Sequence, residues 1–137
     1  MKSIFILFLF LLSTHSKAPD TTVLYIQESQ KIQVFDPILY AFMKVESNFQ
    51  TDVINSLGYA GILQIGPEMI EETNRICELT GNPKSFTLTD RLDSIKSVQI
   101  WYIIQNYYNR AYTLENACKL WNPLAGDWYY NKIKRYL

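Results

Sequence analysis

Glu46 is the residue whose setting most favours chemistry. Leu39, Phe42 and Glu46 follow one another at spacings of three and four, so on a helix they share one face, and an apolar face turns inward. The carboxyl then sits on the core-facing stripe, near the C-terminal end of its helix. Both settings oppose ionisation: partial desolvation disfavours the charged form, and the negative end of the helix dipole repels it. A carboxylic acid kept protonated near neutral pH is what protonating a glycosidic leaving oxygen requires. The structural alternative has Glu46 bending out to solvent, or pairing with Lys44 or another base.

The rest of the inventory narrows the chemistry further. Lys2 precedes an unbroken apolar run at residues 4–12, and Ser16-Lys17-Ala18 is a small-residue exit. Nine apolar residues are too few for a bilayer span, which needs about 20, but suit the core of a secretory signal. Residues 1–18 are therefore expected to be a signal peptide cleaved after Ala18, with a short membrane anchor as the alternative. The remaining 119 residues carry 11 basic and 13 acidic groups and no histidine, because His15 leaves with the leader. That excludes Ser-His-Asp and Cys-His nucleophile systems and removes the commonest transition-metal ligand. No metal and no cofactor is expected. Cys77 and Cys118, 41 residues apart, form no Cys-x-x-Cys motif; export permits a disulfide between them, worth roughly 4 kcal/mol in the chain-entropy model, and two separately buried thiols are the alternative.

The whole chain has 137 residues, 13 Lys+Arg against 13 Asp+Glu, 48% apolar residues and 15% aromatics, which suits one globular domain. Nucleic acid is excluded as a partner, since counterion release needs clustered basic residues that are absent here. Apolar residues recur with helical spacing almost throughout, and no strand-like alternation persists. A first helix is predicted at residues 24–33. Asp36-Pro37 restarts the chain as an N-cap followed by proline at the first helical position, and this helix should run to about Ser47. Residues 50–66, with Gly58, Gly61 and Gly66, read as loop. Pro67 starts a helix through Leu79, stopped by Gly81-Asn82-Pro83. Residues 90–109 are predicted as one central buried helix, residues 113–121 as a short one, and Asp127 as the cap of a last helix ending near Arg135. Ten of the 17 aromatics beyond residue 18 lie between Trp101 and Tyr136. Helical spacing assigns Trp101, Tyr102, Tyr107 and Tyr108 to the core, and leaves Trp128-Tyr129-Tyr130 undecided. The fold class is mainly α, with about six helices.

The segment Glu46-Ser47-Asn48-Phe49, followed by Gly58-Tyr59-Ala60-Gly61-Ile62-Leu63-Gln64-Ile65-Gly66-Pro67, resembles the catalytic core of the soluble lytic transglycosylase family, relatives of goose-type lysozyme. That family's pattern is Glu-Ser-x-Phe and then a Gly-Ala-x-Gly-Leu-Met-Gln-Ile block. The block begins 12 residues after the glutamate and aligns here without a gap. Ala117-Cys118-Lys119-Leu120-Trp121-Asn122 is similar to the family's Ala-x-x-x-Tyr-Asn motif, so the likeness covers roughly residues 30–137. The resemblance implies a lysozyme-like helical domain over residues 19–137 with its catalytic glutamate near the C-terminus of a core helix. Glu46 matches the family's essential acid/base, Gln64 the glutamine lining the sugar cleft, and Asn122 the asparagine of the downstream motif. Ser47 and Tyr59, within the matched motifs, and Trp121 join these as expected substrate contacts. Three positions depart from the pattern. The family's serine nine residues after the glutamate falls on Asn55, with Ser56 adjacent; the methionine of the block is Leu63; and Tyr-Asn reads Trp121-Asn122. The family tyrosine can hydrogen-bond the catalytic carboxyl, whereas an indole N–H donates but never accepts, so Glu46 is expected to be tuned differently.

The implied activity is a peptidoglycan lytic transglycosylase, which needs one carboxyl group where ordinary glycosidases need two. Glu46 protonates the oxygen linking N-acetylmuramic acid to N-acetylglucosamine and then, as carboxylate, takes the proton of the muramic 6-hydroxyl as it closes onto C1. Asn55, Ser56 or Gln64 would orient the substrate's N-acetyl group. Asp52, six residues after Glu46, is the acid whose approach to the sugar would permit hydrolysis, giving a lysozyme-like muramidase. Glu68, Glu71 and Glu72 near a helix N-terminus read as structural. A catalytically silent peptidoglycan-binding module is the alternative from another class. The expected partners are glycan strands of the wall and, as such small enzymes imply, a secretion, conjugation or wall-remodelling machine. A monomer at a periplasmic or extracellular location is expected.

Overall fold

A computed structural model describes residues 36–137. The predicted leader and the predicted helix at residues 24–33 lie outside the described residues. Within them are five α-helices and one 3-10 turn, and no strand. The first helix, α1 (Pro37–Ser47), begins as the sequence dictates: the Asp36 carboxylate accepts from the Leu39 amide at 3.1 Å and Pro37 occupies the first turn. Asp36 is buried, and its second oxygen accepts from the hydroxyls of Tyr102, at 2.9 Å, and Tyr112. The start of α1 is thus fastened to the middle of the domain as well as capped. Its end is set by Asn48, left-handed at φ 53°, whose amide returns to the Lys44 and Met43 carbonyls.

The second helix, α2 (Pro67–Thr80), ends at Gly81, also left-handed. Asn74 on α2 holds the outgoing chain, its amide pairing both ways with the Phe86 backbone at 2.8 and 2.9 Å. Beyond it the structure departs from the single helix predicted over residues 90–109. A 3-10 turn (Leu88–Leu92) comes first, and α3 (Ser94–Tyr108) starts anew. The cause is two competing caps. Thr87 and Asp90 form a capping box on the 3-10 turn, while the Asp93 carboxylate accepts from the Ile95 and Lys96 amides and opens α3. Next come α4 (Leu114–Trp121), capped by Thr113, and α5 (Asp127–Lys134). Gly126, not Asp127, is the N-cap of α5; its φ of +63° suits glycine, and Asp127 becomes the first helical residue.

Packing centres on α1 and α3. Phe42 and Trp101, both fully buried, lie 4.6 Å apart between ring centroids, with Trp121 4.7 Å from Trp101 and Tyr129 6.0 Å from Phe42. Removing the Phe42 ring would cost about 3–5 kcal/mol, the usual range for a buried Phe→Ala change. Helix α2 packs on α3, and α1 and α4 both pack on α5. Of the four aromatics assigned to the core, Trp101 lies there fully, and Tyr102 and Tyr107 are half-buried. Tyr108 is a correction: 46% exposed, it donates its hydroxyl to Glu72 and accepts from Arg75 at 2.9 Å, because the α3 face it occupies meets the polar edge of α2. The disulfide is corrected as well. Cys77 on α2 and Cys118 on α4 are both free, buried thiols, the alternative the sequence left open.

Candidate active site

Glu46 is the penultimate residue of α1 and is half-buried. Its carboxyl accepts a hydrogen bond from the hydroxyl of Tyr129, on the inward face of α5. Burial pushes the carboxyl above the ordinary glutamate range; the Tyr129 hydrogen bond and the positive charge of Lys132 oppose that rise without cancelling it. The direction agrees with the stripe Leu39, Phe42, Glu46. Pairing with Lys44 does not occur: that ammonium goes to the Asn48 side chain at 2.5 Å. Burial, with the nearby Glu46 charge, holds the Tyr129 hydroxyl far above the usual tyrosine range, so it stays a donor at any working pH. The same two influences push the Cys118 thiol up to about 11.

Beside Glu46, the chain turns sharply through Asn48 and Phe49, both at positive φ, into the loop of residues 50–66. Two isolated bridges, Ile54 to Ala60 and Ala60 to Ile65, fold this loop on itself. Side chains then hold its carbonyls. Ser47 donates to Ile62 at 2.8 Å, Gln64 to Gly61 at 3.0 Å and Val53 at 3.3 Å, and Trp121 to Leu63 at 3.0 Å. The Asn55 side-chain oxygen accepts from the Leu57 and Tyr59 amides at 2.9 and 3.1 Å. Ser47, Asn55, Gln64 and Trp121 are therefore loop-building residues by their hydrogen bonds. Tyr59 is half-buried, and Ser56 is exposed at the turn.

Asn122 terminates α4 and lines a cleft of about 420 Å³ between α4 and α5. Tyr129, Tyr130 and Cys118 share its wall, with Lys119 and Asp127 among its lining. Tyr129 thus belongs both to this cleft and to the carboxyl of Glu46. Asp52 is exposed. Of the α2 acids, Glu68 and Glu71 are exposed and Glu72 pairs with Arg75 at 2.6 Å.

Tyr129 is the site residue the sequence left undecided. Its signal lay in spacing: Tyr129 and Ile133 stand four apart, and both are buried, whereas Trp128 is 61% exposed. An apolar i, i+4 pair counted from the glycine start of α5 singles out the middle of the three aromatics.

The family model described as "Transglycosylase SLT domain" matches residues 24–123. No curated protein and no solved structure matches the chain. The match takes in Glu46, the loop of residues 50–66 and the Trp121-Asn122 pair, and on that span the chain belongs to the transglycosylase SLT domain family.

Proposed function

We propose that the protein is a peptidoglycan lytic transglycosylase in which Glu46 acts first as general acid and then as general base. The observation that carries this reading is the half-buried Glu46 carboxyl, raised in pKa and held by a single neutral donor, Tyr129. Membership of a family whose activity is lytic transglycosylation of peptidoglycan supports it.

In the first step the Glu46 proton passes to the oxygen between N-acetylmuramic acid and N-acetylglucosamine, and the C1–O bond breaks. The N-acetyl carbonyl of the same sugar meets the cationic C1. The Glu46 carboxylate left behind is stabilised by the Tyr129 hydroxyl, since a hydrogen bond to an ionised acceptor is about twice as strong as one to a neutral acceptor. In the second step that carboxylate takes the proton of the muramic 6-hydroxyl as its oxygen bonds to C1. A 1,6-anhydro end forms, no water is consumed, and Glu46 regains its proton. Gln64 and Asn122 are the amides assigned to hold the sugars, with Ser47, Asn55, Ser56, Tyr59 and Trp121 shaping the surface around them.

The reading extends to location: the lysine-led apolar run at residues 4–12 would export the chain to the wall. The test is product analysis on purified peptidoglycan with wild type and Glu46→Gln. Anhydro-muropeptides from wild type and none from the variant are expected. Reducing ends would mean a muramidase, and sacculus binding without products a silent module; cleavage by Glu46→Gln would overturn the assignment of the acid.

A further inference from the structure

Arg91 is buried at 9% exposure in the 3-10 turn, the buried cation among the described residues. The ion pairs among those residues, Arg75 with Glu72, Lys96 with Asp90 and Lys119 with Glu115, leave it out. Its guanidinium spends its hydrogen bonds on backbone carbonyls. Nε donates to Leu88 at 2.7 Å, and Nη1 donates to both Gly58 at 2.8 Å and Ile65 at 3.0 Å. Burying a cation without a carboxylate is unfavourable unless its donors are well met, so the position demands an explanation.

Gly58 and Ile65 bound the stretch that contains Tyr59 and Gln64, and one nitrogen of Arg91 gathers both ends. The backbone of Arg91 bears on the same stretch from its middle: a Cβ on Gly61 would lie 1.7 Å from the Arg91 carbonyl oxygen. That oxygen is itself fixed to α3, accepting from the Ser97 hydroxyl at 2.9 Å. From the other side, Ser47 grips the Ile62 carbonyl directly beside Glu46. The loop is therefore clamped between the catalytic helix and Arg91.

We propose that Arg91 is a positioning residue: without touching substrate, its guanidinium fixes the closed shape of residues 58–65 against the Glu46 end of α1. A lysine has the charge but lacks the planar fork, and a methionine has neither. The inference rests on the proposed transglycosylase activity for its kinetic consequence, but its structural half can be read without any turnover.

The experiment compares wild type, Arg91→Lys and Arg91→Met by amide hydrogen exchange and by kinetics on peptidoglycan. In Arg91→Met the Ala60, Gly61 and Ile65 amides, which now bond to Ile65, Val53 and Ala60, should exchange at least about tenfold faster while the α3 amides keep their protection. KM should rise at least about tenfold with kcat changed less than about threefold, and the pH profile set by Glu46 should not move. Arg91→Lys should fall between, and decides the matter by the same readouts if Arg91→Met does not fold. Unchanged loop exchange in a folded variant would overturn the proposal, as would faster exchange spread evenly over loop and helices. A wild type that makes no glycan product would sink the proposed activity while the exchange pattern still decided the role of Arg91.

Discussion

Tyr129 donates its hydroxyl to the carboxyl of Glu46 across 83 positions of sequence, joining α5 to the end of α1, the last and first helices of the described residues. Burial raises the Glu46 pKa and this bond lowers it, so the tyrosine sets how far the acid departs from an ordinary glutamate. In Tyr129→Phe the larger of the two lowering influences is gone, while the burial and the Lys132 charge remain. In the proposed mechanism Glu46 must be protonated for the first step, so activity falls as pH rises through its pKa, and that falling limb should move to higher pH in the variant. The rate at the optimum should drop about 10- to 100-fold, because the carboxylate formed between the two steps loses its donor. A pH profile of kcat/KM measures both, and a limb that stayed in place would show that Tyr129 does not tune Glu46.

The same burial has a stability signature. A carboxyl whose folded pKa is raised favours the folded state while it is protonated, and that contribution is lost as pH rises from the unfolded pKa through the folded one. Glutamine keeps the shape and cannot ionise. Glu46→Gln should therefore melt at a higher temperature than wild type at pH 7, and the gap should close below the ordinary glutamate pKa of about 4.3. Thermal melts of both proteins across that range provide the comparison; a gap independent of pH would trace to packing instead.

Local signals in the sequence reached far into this fold. Asp36-Pro37 and Gly81 mark helix ends that the structure reproduces, because a cap acts on the few amides next to it. The spacing of Glu46 with Leu39 and Phe42 placed the acid on a buried stripe. Where two local signals competed, as Asp90 and Asp93 did, apolar spacing alone ran the helix through the break. Long-range partners left no such trace. Nothing near Tyr129 names Glu46, nothing near Arg91 names Gly58 or Ile65, and nothing near Trp121 names the Leu63 carbonyl to which its indole donates. Those pairings depend on how α3, α4 and α5 pack, which periodicity does not specify.

Two glycines of the loop separate conformational strain from close approach. Gly58 and Gly61 both have positive φ, 85° and 77°, but a Cβ at Gly58 meets nothing within 4 Å, whereas at Gly61 it meets the Arg91 carbonyl oxygen at 1.7 Å. Gly58→Ala should cost about 1 kcal/mol, the left-handed penalty alone. Gly61→Ala adds overpacking against backbone that is tied to α3 and should cost about 3 kcal/mol or more. Urea denaturation of the two variants gives the difference directly; equal losses would mean that the clamp at Gly61 gives way.

Trp121 occupies the position where the family motif carries tyrosine, and its indole serves the loop, donating to the Leu63 carbonyl at 3.0 Å while its rings pack on Trp101. Trp121→Phe keeps an aromatic in the core and leaves the carbonyl without this partner. The loss should be about 1–3 kcal/mol in stability, the cost of an unmet polar group together with a smaller ring. Because Tyr129 supplies the hydroxyl that holds Glu46, the falling limb of the pH profile should stay where wild type has it, in contrast to Tyr129→Phe. Measured side by side, the two variants assign loop support and acid tuning to different residues. If Trp121→Phe moved the limb as far as Tyr129→Phe does, the two roles would not be separable, and the tuning of Glu46 would have to pass through the loop.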